Sequence, residues 1–137
     1  MCEVPRAKEA KLDPPSRTFE RRALRIPLRS SVTLEADLCL PAASRGIVLF
    51  AHGSGSGRHS ARNRQVARWL QQAGIGTLLF DLLTVQEEQV DVHTREHRFD
   101  IALLTQRMQD AMAWVREQPQ LKRTPIGFFG ASTGSAA

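Results

Sequence analysis

The 137 residues are 42% hydrophobic and 24% charged, the balance of a soluble globular protein with length for one domain and a sizeable core. No stretch is long and apolar enough to span a membrane, the charged opening MCEVPRAKEAKLDPPSR lacks the apolar core of a secretory signal, and Cys2 and Cys39 are too few for a disulfide framework. A cytoplasmic, reducing setting is therefore expected, and the net charge of +5, concentrated as 8 Lys/Arg against 4 Asp/Glu in residues 1–30 without interleaved aromatics, points to no nucleic-acid partner.

Residues 1–16 carry Pro5, Pro14 and Pro15 without periodicity and are expected to form a disordered tail, leaving 17–137 as the folded part. Leu24, Ile26 and Leu28 then face one way, with Ala23, Arg25 and Pro27 facing the other. Val32, Leu34, Ala36, Leu38 and Leu40 do the same, with Thr33, Glu35, Asp37 and Cys39 on the other face. Period two on both sides of Arg29-Ser30-Ser31 predicts an antiparallel hairpin with one wet face.

After Pro41 to Arg45 the pattern changes. Gly46 to Ala51 (GIVLFA) is continuously apolar, as are Leu78-Leu79-Phe80 and Ile126 to Phe129, and each reads as a strand buried on both faces. A helix is predicted over about Ser60 to Ala73, with Ser60 as cap, Gly74 as stop, Val66, Leu70 and Ala73 inward, and Arg62, Arg64 and Arg68 toward water. The polar stretch Val85 to Arg98 has no apolar stripe and reads as a solvated loop. A second helix follows, about Phe99 to Gln118, on the stripe Leu104, Met108, Ala111, Met112 and Val115, with Asp100 near its start and Pro119 past its end. Trp69 and Trp114 read as helix packing residues. The order hairpin, β, α, β, α, β, α-start gives an α/β class: a mostly parallel sheet with an antiparallel edge.

Ligands of such sheets bind beyond the carboxyl ends of the strands. Those ends carry His52-Gly53-Ser54-Gly55-Ser56-Gly57-Arg58, then Asp81, then Gly130-Ala131-Ser132-Thr133-Gly134. The last fits G-x-S-x-G, a strand-to-helix turn that exposes a serine at its apex. Its glycines leave room for a strained backbone, and a helix starting just after Ser132 would aim free N–H groups at a developing oxyanion. The glycines at 53, 55 and 57 would likewise let N–H groups turn toward an anion.

On these features, over about residues 18–137, the sequence resembles the N-terminal part of an α/β-hydrolase, closest to the dienelactone hydrolase-like branch. The resemblance implies a sheet of order 1-2-4-3-5 and a serine hydrolase acting on small ester or related acyl bonds, with Ser132 as nucleophile. It implies oxyanion donors at the N–H groups of Ser54 (Gly55 if the register slips) and Thr133, and neither cofactor nor metal. Members that hydrolyse dienelactone itself carry a cysteine in the elbow, where this chain has Ser132. In the family the triad's acid and histidine follow the nucleophile. Only five residues follow Ser132 here, so the expectation is a domain truncated after the elbow and inactive as it stands. The implied partner is a small ester, with no membrane partner and the oligomeric state open.

Other readings attach to single features. Asp81 is expected to hold the following loop, His52 to shape its own loop rather than serve as base, and Arg58 to be an exposed arginine that a substrate carboxylate could meet. The glycine-rich turn followed by Asp81 loosely matches a dinucleotide-binding unit, though G-x-G-x-G followed by arginine is the wrong spacing. His93-Thr94-Arg95-Glu96-His97 formally matches H-x-x-E-H, which holds zinc only if both histidines share one helix. A non-catalytic interaction module is the remaining alternative.

Overall fold

Strict alternation builds the outer half of the sheet. In the computed structural model, which describes residues 18–52, 57–130 and 136, β1 (Phe19–Pro27) and β2 (Thr33–Pro41) form an antiparallel hairpin paired from Phe19↔Pro41 to Pro27↔Thr33. The turn closes with Leu28 N–H donating to Val32 O at 2.8 Å, and Ser31 takes a left-handed φ of 63°. The tail expected over residues 1–16 and the helix expected after Ser132 fall outside the described residues, apart from Ala136.

The apolar runs become β3 (Ile47–Ala51), β4 (Gly76–Phe80) and β5 (Ile126–Gly130). The sheet order is β1-β2-β4-β3-β5, as the resemblance implied, with β3 parallel to both β4 and β5 and β2 antiparallel to β4. The crossover from β3 to β4 runs one way along the sheet and that from β4 to β5 the other. Right-handed crossovers then require their helices on opposite faces, and the packing follows. On one face Leu104, Met108, Ala111 and Val115 close over Ile26, Leu34, Leu49, Leu78 and Phe80. On the other, Ala67, Val66 and Leu70 cover Phe50, Leu79 and Val48, with Phe50 and Phe129 rings 5.2 Å apart.

Three helices connect the inner strands. α1 (Ala61–Gln72) starts at Ser60, whose side chain accepts from Asn63 N–H, and ends at Ala73. Its most buried stripe is Asn63, Ala67 and Gln71, one position off the expected one, and this turns Trp69 outward to 62% exposure. Trp69 is thus a correction; Trp114 does pack against the core. α3 (Ile101–Glu117) starts at Asp100, which accepts from Leu103 N–H.

The larger correction is α2 (Val85–Thr94), a helix where the sequence reading expected a loop. Asp91 is its one buried residue, so no apolar stripe signals it. A capping box starts it: Thr84 Oγ1 accepts from Glu87 N–H at 3.1 Å, and Glu87 Oε2 accepts from Thr84 N–H at 2.9 Å. Arg107, buried on α3, then grips Glu87 with both terminal nitrogens and donates to Leu82 O at 3.1 Å. Burial pushes the Glu87 carboxyl up, but the bonds from Arg107 and the Thr84 N–H, with the charges of Arg107 and His97, outweigh it and leave the group below the usual carboxylate range.

Candidate active site

Parallel pairing aligns the strand ends that carry the polar motifs. Ala51 of β3 lies opposite Gly130 of β5, and Phe50 opposite Leu79 of β4. The chain therefore leaves β3 toward Ser54, β4 toward Asp81 and β5 toward Ser132 at one edge of the sheet. Ser54, Thr133 and Ser132 themselves, and Gly55 with them, lie outside the described residues.

The residues flanking this edge are tied to one another. His52 Nε2 accepts from Leu82 N–H at 2.9 Å. That bond engages a lone pair that a general base would use and ties the end of β3 to the stretch after β4. Asp81 departs from expectation in its partner. It binds the loop before α1 rather than the loop after β4, accepting from Arg58 N–H at 2.8 Å and from Arg58 Nη1 at 2.5 Å. Arg58 is accordingly not an exposed arginine: its side chain keeps 23% of its exposure, and its Nε lies 3.7 Å from Asp37 Oδ2. Arg64 joins Asp37 at 3.2 Å and donates to Arg58 O at 3.3 Å. At position 57 a Cβ would stand 2.8 Å from Asp81 Oδ1, so glycine there admits the carboxylate. His52 and Arg58 are thus both tied to the stretch just after β4, one through Leu82 and the other through Asp81.

Beside this edge opens a cavity of about 570 Å³, lined by Val32, Leu83 and Val85 with Arg25, Glu35 and Asp81 among its polar walls. Arg25 Nε and Glu35 Oε1 pair at 2.9 Å, so much of that polarity is internally satisfied.

The alternatives meet definite geometry. α2 ends at Thr94 and Arg95 turns left-handed with φ 56°, so His93 and His97 do not share a helix. Among the described residues no group of three or more His, Cys, Asp or Glu is placed to hold a metal. Asp81, which a dinucleotide-binding reading would give to a ribose, is committed to Arg58. No described helix is long and apolar enough to cross a membrane.

No family model matches the chain. Two curated proteins of Mycobacterium tuberculosis that carry the name "Putative phosphoribosyl transferase" are each 48% identical over 131 residues, covering 96% of this chain and 28% of their own. Among solved structures, a dienelactone hydrolase from Anabaena variabilis is 49% identical with a TM-score of 0.83, covering 87% of this chain and 55% of its own. A cold-adapted esterase from an Arctic intertidal metagenomic library (16% identity, TM-score 0.64, 90% of this chain and 56% of its own) and an esterase of Pyrococcus furiosus (22%, 0.64, 86% and 44%) share the fold. The chain thus spans about half the length of the hydrolase it matches and little over a quarter of the mycobacterial relatives. Sheet order, antiparallel opening hairpin and these likenesses agree: the fold is that of a dienelactone hydrolase-like α/β-hydrolase.

Proposed function

We propose that the chain carries the nucleophile and oxyanion elements of a cytoplasmic serine hydrolase that cleaves small esters or related acyl bonds. Ser132 attacks the carbonyl carbon, and the N–H groups of Thr133 and Ser54 receive the negative charge that develops on its oxygen. The observation that carries this reading is the pairing of Ala51 with Gly130. From those neighbours, about 5 Å apart, connectivity holds Ser132 within roughly 7 Å of Gly130 and Ser54 within roughly 11 Å of Ala51. A nucleophile and an oxyanion donor that must share one carbonyl start from adjoining strands. The cavity of about 570 Å³ between the hairpin and the stretch from Asp81 into α2 is in the size range of a small-molecule site.

The transferase name of the mycobacterial relatives belongs to proteins in which the matched segment is 28% of the length, and we assign any such reaction there to the remainder. Transfer from a phosphoribosyl diphosphate would call for carboxylates open to a divalent cation. At this edge Asp81 is bound by Arg58, Asp37 by Arg64 and Glu87 by Arg107.

The test is covalent labelling of the full-length protein with a fluorophosphonate, followed by peptide mapping. The expected adduct is on Ser132. Labelling elsewhere, or none alongside consumption of phosphoribosyl diphosphate by this region, would overturn the assignment.

Asp81 supports the same chemistry at one remove, since it fixes Arg58, which follows the glycine-rich turn in the chain. Asp81→Asn would turn an amide N–H₂ toward the Arg58 guanidinium. A displacement of about 1 Å in a positioning element can cost roughly a hundredfold in rate, so phosphonate labelling of Ser132 in this variant should slow by about ten- to a hundredfold. An unchanged second-order labelling rate would show that the Arg58–Asp81 pair is structural only.

A further inference from the structure

The face of the sheet that α1 only partly covers holds a second concave feature, between α1 and the β1–β2 hairpin. α1 packs its apolar residues over β3 and β4, and toward the hairpin it presents Arg64, Arg68 and Gln71 instead. Opposite them, β1 and β2 present Arg21 and Cys39, a cross-strand pair on one face, with Thr77 of β4 alongside. Between the two lies a groove of about 320 Å³.

Its floor is polar where a sheet under a helix is ordinarily apolar. Thr77 and Gln71 are both almost wholly buried, and Gln71 Nε2 donates to Thr77 Oγ1 at 2.8 Å. Gln71 Oε1 is buried and meets no donor among the described residues. Leaving such an acceptor unsatisfied is costly, which makes it a ready partner for a ligand donor.

The rim is cationic. Among the described residues Asp37 is the one carboxylate lining the groove, and Arg64 and Arg58 share it at 3.2 and 3.7 Å. Arg22 is held by Glu20 at 2.9 Å. Arg21 and Arg68 have no carboxylate within reach among the described residues: Arg21 lies 5.3 Å from the Phe19 ring and Arg68 donates to Gln65 at 2.8 Å. Uncompensated guanidinium charge gathered at one concave rim focuses a positive field into the groove. A monoanionic carboxylate satisfies one guanidinium fork, whereas a phosphate dianion offers three oxygens to several. The volume is at the small end of ligand sites, which suits a small molecule and not a polymer.

We propose that the groove between α1 and the β1–β2 hairpin binds a small phosphate monoester, its phosphate among Arg21, Arg64 and Arg68 and its alcohol portion toward Gln71, whose Oε1 accepts a ligand hydroxyl. This stands independently of the hydrolase reading.

The test is calorimetric titration of the full-length protein with glycerol 3-phosphate, inorganic phosphate and glycerol. Saturable binding of glycerol 3-phosphate is expected, weaker binding of phosphate and none of glycerol. Arg21→Gln and Arg68→Gln, at exposed positions that leave the core untouched, should each weaken binding about tenfold or more, as loss of a charge-assisted contact does. Gln71→Leu should reduce glycerol 3-phosphate to the affinity of phosphate alone, while Arg62→Gln on the outer side of α1 should change nothing. Absence of binding at about 10 mM ligand, an affinity weaker than any useful site, would overturn the proposal. So would wild-type affinity in both Arg21→Gln and Arg68→Gln, or binding confined to phosphatidate vesicles.

Discussion

Ser132→Ala in the full-length protein is expected to lower ester turnover by roughly a millionfold in kcat, the scale at which removing a serine nucleophile disables such a site. The residue proposed to form and break the acyl bond is lost, while the proposed oxyanion donors, being backbone N–H groups of Ser54 and Thr133, survive the substitution. A residual acceleration of about a thousandfold over water should therefore remain. That contrast separates Ser132 from Asp81, whose loss acts on geometry and costs orders of magnitude less. The measurement is steady-state hydrolysis of a p-nitrophenyl ester, with the variant's melting transition as a check on folding. Wild-type turnover in Ser132→Ala would place the nucleophile elsewhere and sink the assignment.

Much of the sheet was legible because its code is local. One wet face forces period two on residues 32–40, and two covered faces force the unbroken runs at 47–51 and 76–80. The equally apolar run at 126–129, expected to be buried on both faces, is a correction, because β5 lies at the edge of the described sheet and leaves Phe128 57% exposed. Helix ends were equally local: Ser60 and Asp100 cap α1 and α3 where the sequence placed a cap and a start. α2 was missed because the stripe test presumes a helix that buries an apolar face. This one exposes Val85, Val90 and Val92 and is held by its capping box and by Arg107, twenty residues beyond Glu87. The capping box Thr84-x-x-Glu87 was the available signal.

The same reasoning explains the site. That three polar motifs share one edge follows from strand direction alone. That Asp81 binds Arg58, and not the loop after it, depends on an ion pair across 23 positions, for which no periodicity exists. Gly57 was read as an amide turned toward an anion. Its neighbour proves to be the Asp81 carboxylate, which needs the space a side chain would fill.

Asp91→Ala should destabilise the protein by about 3 kcal/mol at neutral pH, near the lower bound for removing one partner of a buried ion pair because Arg98 keeps some contact with water. Asp91 sits in the last turn of α2, where the helix dipole disfavours an acid. It is buried to 3% side-chain exposure and accepts three bonds, from His97 N–H at 2.9 Å, Arg98 N–H at 3.0 Å and Arg98 Nε at 2.7 Å. Burial pushes its carboxyl up. The hydrogen bonds from Arg98 and His97 and the Arg98 charge outweigh burial and leave it below the usual carboxylate range. A carboxyl whose folded pKa is depressed contributes stability that is fully present above its unfolded pKa, near 4, and is lost as pH falls through the folded value. The wild type should therefore weaken on acidification from about pH 4 downward, with Glu87 adding in the same sense. Asp91→Ala has already lost this contribution at every pH, so its deficit relative to wild type should shrink between neutrality and strong acid. Urea unfolding at about pH 7 and about pH 3 measures both quantities. An equal deficit at the two pH values would mean that Asp91 acts through packing and not through its charge.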